Sequence, residues 1–119
     1  MSTKLNLTKD IAGYNGFGLA PTTDIKRTTL TANAAQSVTV PSNYQNWLAI
    51  FSYTPGASVW VRFDGSAATL PTGTFASAAS VLNPAGRAVV AGQTISVITD
   101  DATDPAICIE FQVINPYVN

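Results

Sequence analysis

The chain has 119 residues, of which 46% are hydrophobic and only 11% are charged, with a net charge of −1. This length suffices for one domain with a core of its own. It has no run of about 20 apolar residues that would predict a membrane span, it is too apolar for a disordered chain, and it has no basic cluster that would predict nucleic-acid binding.

The low charge needs a physical explanation, because an ordinary soluble domain has about 25% charged residues. A neutral surface of Ser, Thr, Ala, Asn and Gln costs little to desolvate, which predicts burial against other subunits. The alternative is a secreted or extracellular β domain whose surface is polar but uncharged. The first residues lack the apolar stretch of a signal peptide, so we expect synthesis in a cytoplasm.

Residues 1–25 form the first predicted unit, an extended N-terminal arm ahead of a β domain at 26–119. Glycines alternate here with aromatic and apolar residues, a composition that favours neither a helix nor a regular strand. We expect such a segment to order against another surface; the alternative is a disordered leader. The predicted contact residues of the arm are Tyr14, Phe17, Leu19 and Pro21.

Short β segments follow, with alternating apolar residues or turn signals at their ends. The first two occupy 27–32 and 36–41. The denser run at 47–53 is apolar on both faces, which predicts a central strand covered on both sides. The segment at 58–63 alternates again, and the turn signal Pro55-Gly56 predicts that it forms a hairpin with the run before it.

The second half of the chain continues the β pattern after a long loop. Residues 67–80 are rich in Ala, Thr and Ser and predict a crossover between sheets. Residues 81–90 then lead through Ala91-Gly92 into a strand pattern at 94–99. After a polar turn, the last strand occupies 106–113, with the apolar residues at 107, 109, 111 and 113 on one face. We therefore predict an all-β fold, an antiparallel β-sandwich of seven or eight short strands; a barrel is the alternative.

The residues available for chemistry are few. The chain has no histidine and one cysteine, which excludes the commonest general base and zinc sites made of Cys and His. The aspartates at 100, 101 and 104 could hold Ca²⁺, although turn aspartates usually cap backbone amides. Asp64 and Glu110 are the remaining carboxylate pair for a glycosidase. We predict no enzyme, no cofactor and no metal, with Cys108 as a small apolar residue rather than a reactive thiol.

Four aromatic residues could stack on a sugar ring: Tyr44, Trp47, Tyr53 and Trp60. Trp60 is the best candidate. It alternates with Val59 and Val61, so it lies on the opposite face of its strand. A sugar-binding module would leave Trp60 open on a flat or grooved face. A packing role would bury it in the core or in a contact between subunits, and this is the interpretation that we favour.

Several short motifs occur in a recognisable order along the chain. They are Trp47-Leu-Ala-Ile, Ser58-Val-Trp-Val, Asp64-Gly-Ser-Ala-Ala, Leu82-Asn-Pro, Arg87-Ala-Val-Val-Ala-Gly-Gln-Thr-Ile-Ser and the closing Ile109-Glu-Phe. This order resembles small structural proteins of tailed bacteriophages, and the segment from Gly13 to Pro21 resembles their leader.

The resemblance implies a jelly-roll-like β-sandwich without catalytic residues. It further implies a virion protein of the capsid decoration (cement) class, whose partners are the major capsid protein or other virion proteins. Repeated assembly parts are usually symmetric oligomers, so we predict a homotrimer that binds neither nucleic acid nor membrane. The alternative function is a carbohydrate-binding module, or a fibre or baseplate β-module that recognises a surface glycan.

Overall fold

The computed structural model describes residues 6–9 and 15–18 as backbone strands, and residues 22–72 and 80–114 with their side chains. The described residues form ten strands and no helix, which confirms the all-β prediction. The strands are β1 (Asn6–Lys9), β2 (Asn15–Gly18), β3 (Ile25–Thr29), β4 (Gln36–Thr39), β5 (Asn46–Tyr53), β6 (Val59–Arg62), β7 (Ser80–Leu82), β8 (Gly86–Val90), β9 (Thr94–Thr99) and β10 (Ala106–Val113).

Eight of these strands form two four-stranded antiparallel sheets. The front sheet has the order β3-β10-β5-β8, and the back sheet has the order β4-β9-β6-β7. The inner faces of the two sheets supply the core, so the predicted β-sandwich is confirmed. Its buried apolar residues are Leu30, Val40, Trp47, Ala49, Phe51, Ala57, Val59, Val61, Val89, Ile95, Val97, Ile107, Ile109, Phe111 and Val113.

The strand pairs are nested along the sequence. Strand β3 pairs with β10, β4 with β9, β5 with β8, and β6 with β7. The eight strands thus form one long antiparallel ribbon, and successive pairs of the ribbon alternate between the two sheets. Two further ladders, β5 with β10 and β6 with β9, join the pairs within each sheet.

The predicted hairpin around Pro55-Gly56 is wrong, because β5 lies in the front sheet and β6 in the back sheet. The turn itself exists: the Ala57 N–H donates to the Thr54 carbonyl (3.0 Å), and Gly56 has a φ of 82°. However, both neighbours of β5 are other strands, β10 and β8. The turn therefore carries the chain over the end of the sandwich from one sheet to the other.

Gly56 supplies the positive φ that this crossing requires. A Cβ atom added at Gly56 would meet nothing within 4 Å, so the cost of Gly56→Ala comes from the backbone conformation alone. We expect Gly56→Ala to lower the free energy of unfolding by about 1 kcal/mol. Urea denaturation checks this value, and Pro55→Ala serves as a control that keeps the glycine. A Gly56→Ala variant as stable as the wild type would contradict it.

Strand β5 has the predicted central position, with a neighbour on each edge. On its inner face, Trp47, Ala49 and Phe51 are buried. The predicted cover on its outer face is incomplete, because Leu48 and Ile50 are only half-buried. The apolar residues at 107, 109, 111 and 113 share one face of the last strand as predicted, and the structure shows that this face is buried.

The N-terminal region differs from the sequence-based expectation in one respect. Strands β1 and β2 pair antiparallel from Asn6↔Gly18 to Lys9↔Asn15, where no regular strand was expected. Phe17 is described only as backbone, opposite Leu7. The other predicted contact residues of the arm, Tyr14, Leu19 and Pro21, lie outside the described residues.

The hydrogen bonding of the front sheet begins before the predicted domain start at residue 26. The Thr22 hydroxyl donates to the Phe111 carbonyl (2.9 Å), and the Phe111 N–H donates to the Asp24 carbonyl (2.8 Å). Thr22 and Asp24 are therefore bonded to β10. The predicted loop at 67–80 carries no strand over its described part, 67–72, and its last residue, Ser80, begins β7.

Candidate interaction face around Trp60

Trp60 lies on the outer face of the back sheet. Its sequence neighbours Val59 and Val61 are fully buried on the inner face, and side chains alternate along a strand. Trp60 itself is half-buried. It therefore does not belong to the core, and the remaining interpretations are a contact with another subunit and a sugar-stacking surface.

The strand register places two apolar side chains beside Trp60. Trp60 is paired with Leu82 on β7 and with Ile98 on β9, and directly paired residues point to the same face of a sheet. Leu82 is 46% exposed, whereas Ile98 is only 8% exposed. We call Trp60, Leu82 and Ile98 the Trp60 cluster. It forms an apolar patch that reaches the edge strand β7.

The charged residues beside this cluster neutralise each other. Arg62 lies two residues beyond Trp60 on the same strand, and its guanidinium donates two hydrogen bonds to the Asp64 carboxylate, Nε to Oδ1 (2.7 Å) and Nη2 to Oδ2 (2.9 Å). The Ser66 N–H also donates to Asp64 Oδ1 (3.1 Å). A partner that covers this face would therefore meet a paired charge rather than an isolated one, which lowers the desolvation cost.

This ion pair sets the protonation of Asp64. The hydrogen bonds from Arg62 and then from Ser66 hold the pKa of Asp64 at about 2. Since the folded state lowers this pKa, the pair stabilises the fold above the unfolded pKa near 3.9, and the contribution is lost as the pH falls toward 2. We expect Arg62→Gln to raise the pKa of Asp64 toward 3.9, measured by NMR titration of the carboxyl carbon.

Asp101 provides an internal control in the same titration. Its pKa is lowered by hydrogen bonds from Thr103 and does not depend on Arg62. If Arg62→Gln left the titration of Asp64 unchanged, the pairing would not control this carboxylate.

A loop segment frames one side of the Trp60 cluster. The Ala68 N–H donates to Ser96 Oγ (2.8 Å), and Ala68 is buried. Ser96 is paired with Arg62, so it lies on the same outer face as the cluster. The segment after β6 thus folds back over the sheet beside Trp60.

The other aromatic candidates for sugar stacking are less accessible. Trp47 is fully buried, and its indole N–H donates to the Tyr44 carbonyl (2.9 Å). The Tyr53 hydroxyl donates to the Pro84 carbonyl (2.6 Å), and burial raises the pKa of this phenol. Tyr44 is exposed but contacts Trp47 edge-on. Of these four aromatic candidates, Trp60 is the one whose side chain lies on an outer sheet face.

The acidic candidates do not form a site. Among residues 22–72 and 80–114, no group of three or more Cys, Asp or Glu side chains is arranged to hold a metal ion. Asp101 instead accepts hydrogen bonds from the N–H and the hydroxyl of Thr103 (3.1 and 2.7 Å). Asp64 follows a back-sheet strand, whereas Glu110 lies on the outer face of the front sheet, so the structure does not bring this carboxylate pair together.

Cys108 lies on the outer face of the front sheet, paired with Arg27 and Ser52. It is half-buried. Burial, and then the negative charge of Glu110, raise the pKa of the thiol, while Arg27 acts in the opposite direction. The reactive thiolate is therefore disfavoured at neutral pH.

The alternation of residues within one strand could not predict which side chains lie beside Trp60, nor that the segment after β6 folds back next to it. The alternation of 59–61 places Trp60 on the face opposite Val59 and Val61, but Leu82 and Ile98 lie beside it only through long-range strand register. The Leu82-Asn-Pro motif was a sequence signal for the end of β7, where Leu82 lies beside Trp60.

No protein-family model matches this chain, and no characterised protein or solved structure is significantly similar to it. Within the described residues, no helix has the length and apolar character needed to cross a membrane.

Proposed function

We propose that this chain is a structural virion protein that decorates and stabilises a phage capsid through subunit contacts, without catalysis. The nested strand pairing carries the proposal. An eight-strand ribbon whose pairs alternate between two sheets supports the finer description of the fold as a jelly roll. Jelly rolls are common among viral capsid domains and lectins.

The surface chemistry also supports an assembly role. Only 11% of the residues are charged, and one salt bridge, Arg62 with Asp64, occurs among the described residues. A surface with few charges can be covered by a partner without leaving ions buried and unpaired. The Trp60 cluster supplies an apolar centre, and tryptophan is enriched where protein interfaces gain most of their binding energy.

The proposed partners are the major capsid protein or other virion proteins, and the proposed site of action is the virion, after synthesis in the host cytoplasm. We further propose a homotrimer, the kind of symmetric oligomer that repeated assembly parts form. A mass measurement in solution tests this directly. A monomer at micromolar concentration would contradict the trimer.

The contribution of the N-terminal arm can be tested by truncation. Because Thr22 and Asp24 are bonded to β10, the deletion should stop at residue 21 rather than at 25. We expect removal of residues 1–21 to leave the urea midpoint nearly unchanged and to weaken capsid binding. A truncated protein that binds capsids as tightly as the full chain would exclude the arm as a contact.

Co-sedimentation with purified capsids tests the function itself. We expect the full chain to saturate capsids at a fixed copy number and to raise the temperature at which the particles open. Trp60→Ser should weaken this binding if the Trp60 cluster is the contact, while Tyr44→Ser serves as the matched control at an exposed aromatic residue. A lack of saturable binding to capsids would contradict the proposal.

The second candidate function is recognition of a surface glycan, as a carbohydrate-binding, fibre or baseplate module. The half-exposed position of Trp60 on an outer sheet face favours it, because an accessible aromatic face can stack on a sugar ring. A glycan array with the isolated protein distinguishes the two. Saturable glycan binding that Trp60→Ser abolishes would favour this candidate over capsid decoration.

A further inference from the structure

A groove opens between the two sheets along one side of the sandwich, where the edge strands β3 and β4 face each other. Its volume is about 270 Å³. The floor is apolar and includes Val97, Ile107 and Ile109, while Lys26 lies on the β3 side. Two side-chain hydrogen bonds from Gln36 and Thr28 link the strands at one end of the groove.

The backbone of β3 leaves polar groups directed away from its sheet. The Leu30 N–H donates to the Pro105 carbonyl, and the Asp24 carbonyl accepts from the Phe111 N–H. The backbone N–H and C=O groups of the even-numbered residues of β3 therefore point toward β10. The N–H and C=O groups of Ile25, Arg27 and Thr29 therefore point to the free edge. The Thr29 carbonyl confirms this direction, because it accepts a hydrogen bond from Gln36 across the groove.

The same geometry applies to β4. The Val40 N–H donates to the Gln93 carbonyl (2.9 Å), which continues the register Gln36↔Val97 to Thr39↔Thr94. The backbone N–H and C=O groups of the even-numbered residues thus point toward β9, and those of Ser37 and Thr39 point to the free edge. In the described part of the chain, these groups have no hydrogen-bond partner.

The four edges of the two sandwich sheets differ in how they oppose the addition of another strand. Strand β3 carries Lys26 and Arg27, β8 carries Arg87, and β7 is only three residues long. Charged and very short edge strands are devices that prevent unwanted pairing. Strand β4, with the sequence Gln-Ser-Val-Thr, carries no charged residue and is longer than β7. It is the edge most open to a new strand.

We infer that the free edge of β4 binds an extended peptide segment of a partner protein, with apolar side chains directed into the groove and an acidic side chain facing Lys26. The peptide backbone would bond to Ser37 and Thr39, as in other cases of strand addition. Lys26 is paired with the buried Ile109, so its side chain is on the groove side of β3. It has no ion pair among the described residues, which leaves its charge for an incoming carboxylate.

The shape of the groove favours a peptide over a small amphiphile. The lining contains three consecutive residues from each edge strand, 26–28 and 36–38, which is roughly 10 Å of extended chain. Both walls present backbone edges, and an extended peptide can use them where an acyl chain cannot. The inference rests on strand edges and charge alone, so its failure would leave the proposed virion role untouched.

NMR titration of the ¹⁵N-labelled full chain tests the inference. The probe is the peptide acetyl-Thr-Val-Thr-Val-Thr-Glu-Thr-amide, and its counterpart has Lys in place of Glu. We expect saturable shifts at the Ser37 and Thr39 amides, slower solvent exchange there, and a dissociation constant about fivefold lower for the Glu peptide. Equal affinity for the two peptides, or shifts confined to another edge, would overturn the inference.

Two protein variants complete the test. Ser37→Pro removes an edge N–H that no strand of the fold uses, so the fold should persist while the Glu peptide binds about tenfold more weakly. Ser37→Ala keeps this N–H and should bind within about twofold of the wild type. Lys26→Glu should reverse the preference toward the Lys peptide.

Several outcomes contradict the inference. Unchanged peptide binding by Ser37→Pro would exclude the β4 edge. If Ser37→Pro instead converted an oligomer of the wild-type chain into monomers, the occupant would be a second copy of this chain rather than a partner peptide. If the proline variant fails to fold, the surface variant Lys26→Glu provides the test. An unchanged preference of this variant for the Glu peptide would contradict the inference.

Discussion

Replacement of Trp47 by alanine is expected to lower the free energy of unfolding by about 4 kcal/mol. Trp47 is the largest fully buried side chain of the described residues, and it packs edge-on against Phe111 with ring centroids 6.3 Å apart. Its indole N–H also bonds to the Tyr44 carbonyl. The truncation would therefore leave both a cavity between the sheets and an acceptor without its donor. Urea denaturation followed by far-ultraviolet circular dichroism measures the loss without relying on tryptophan fluorescence.

Trp60→Ala provides the matched control, because it removes the same side chain from the outer face. We expect it to cost no more than about 1 kcal/mol, since no core cavity results. Its main effect should appear in capsid or glycan binding. Equal losses of stability for the two tryptophan variants would contradict the assignment of Trp47 to the core and Trp60 to an interaction face.

Asn83→Ala is expected to cost about 2 to 3 kcal/mol, which is unusual for an exposed residue. The Asn83 side chain joins two connections: Oδ1 accepts from the Val59 N–H (2.8 Å), and Nδ2 donates to the Ala57 carbonyl (2.9 Å). Its φ of 44° lies in the left-handed region, which asparagine tolerates better than alanine. The substitution thus removes two hydrogen bonds and adds backbone strain.

Two further variants separate these contributions. Asn83→Gly loses both hydrogen bonds without the strain, so it should be about 1 kcal/mol more stable than Asn83→Ala. Asn83→Asp keeps the acceptor for Val59 and loses only the donor to Ala57. If all three variants had the wild-type urea midpoint, Asn83 would not hold the end of the sandwich together.

The role of Asn83 explains why the Leu82-Asn-Pro motif has its composition. The chain leaves β7 in the back sheet at Leu82 and enters β8 in the front sheet at Gly86. Asn83 fixes this crossing to the turn between β5 and β6, and the Pro84 carbonyl accepts from the Tyr53 hydroxyl. A motif that first resembled a family signature is, in this fold, a link between the two sheets.

Features that depend on local alternation were predictable from the sequence. A strand has a period of two regardless of its neighbours, so Trp60 was predicted on the face opposite Val59 and Val61. The structure shows that the face of the two valines is the buried one. For the same reason, the apolar residues of β10 were predicted to share one face. The central position of β5 was predicted from apolar residues on both of its faces.

Features that depend on long-range pairing were not predictable. Pro55-Gly56 specifies a tight turn, but the same turn chemistry serves a hairpin and a crossing between sheets. The turn serves as a crossing because β8 and β10, which lie 30 or more residues away in the sequence, pair with both edges of β5 and leave no edge for β6. The Trp60 cluster likewise requires the register of three strands, and the open β4 edge is defined by which strands pair with β9.

Cryo-electron microscopy of purified virus particles is the most direct test of the assembly role. We expect two four-stranded sheets at symmetry-related positions on the particle, with the Trp60 cluster covered by a neighbouring subunit. Particles that carry no copy of the chain, together with glycan binding by the isolated protein through Trp60, would contradict capsid decoration.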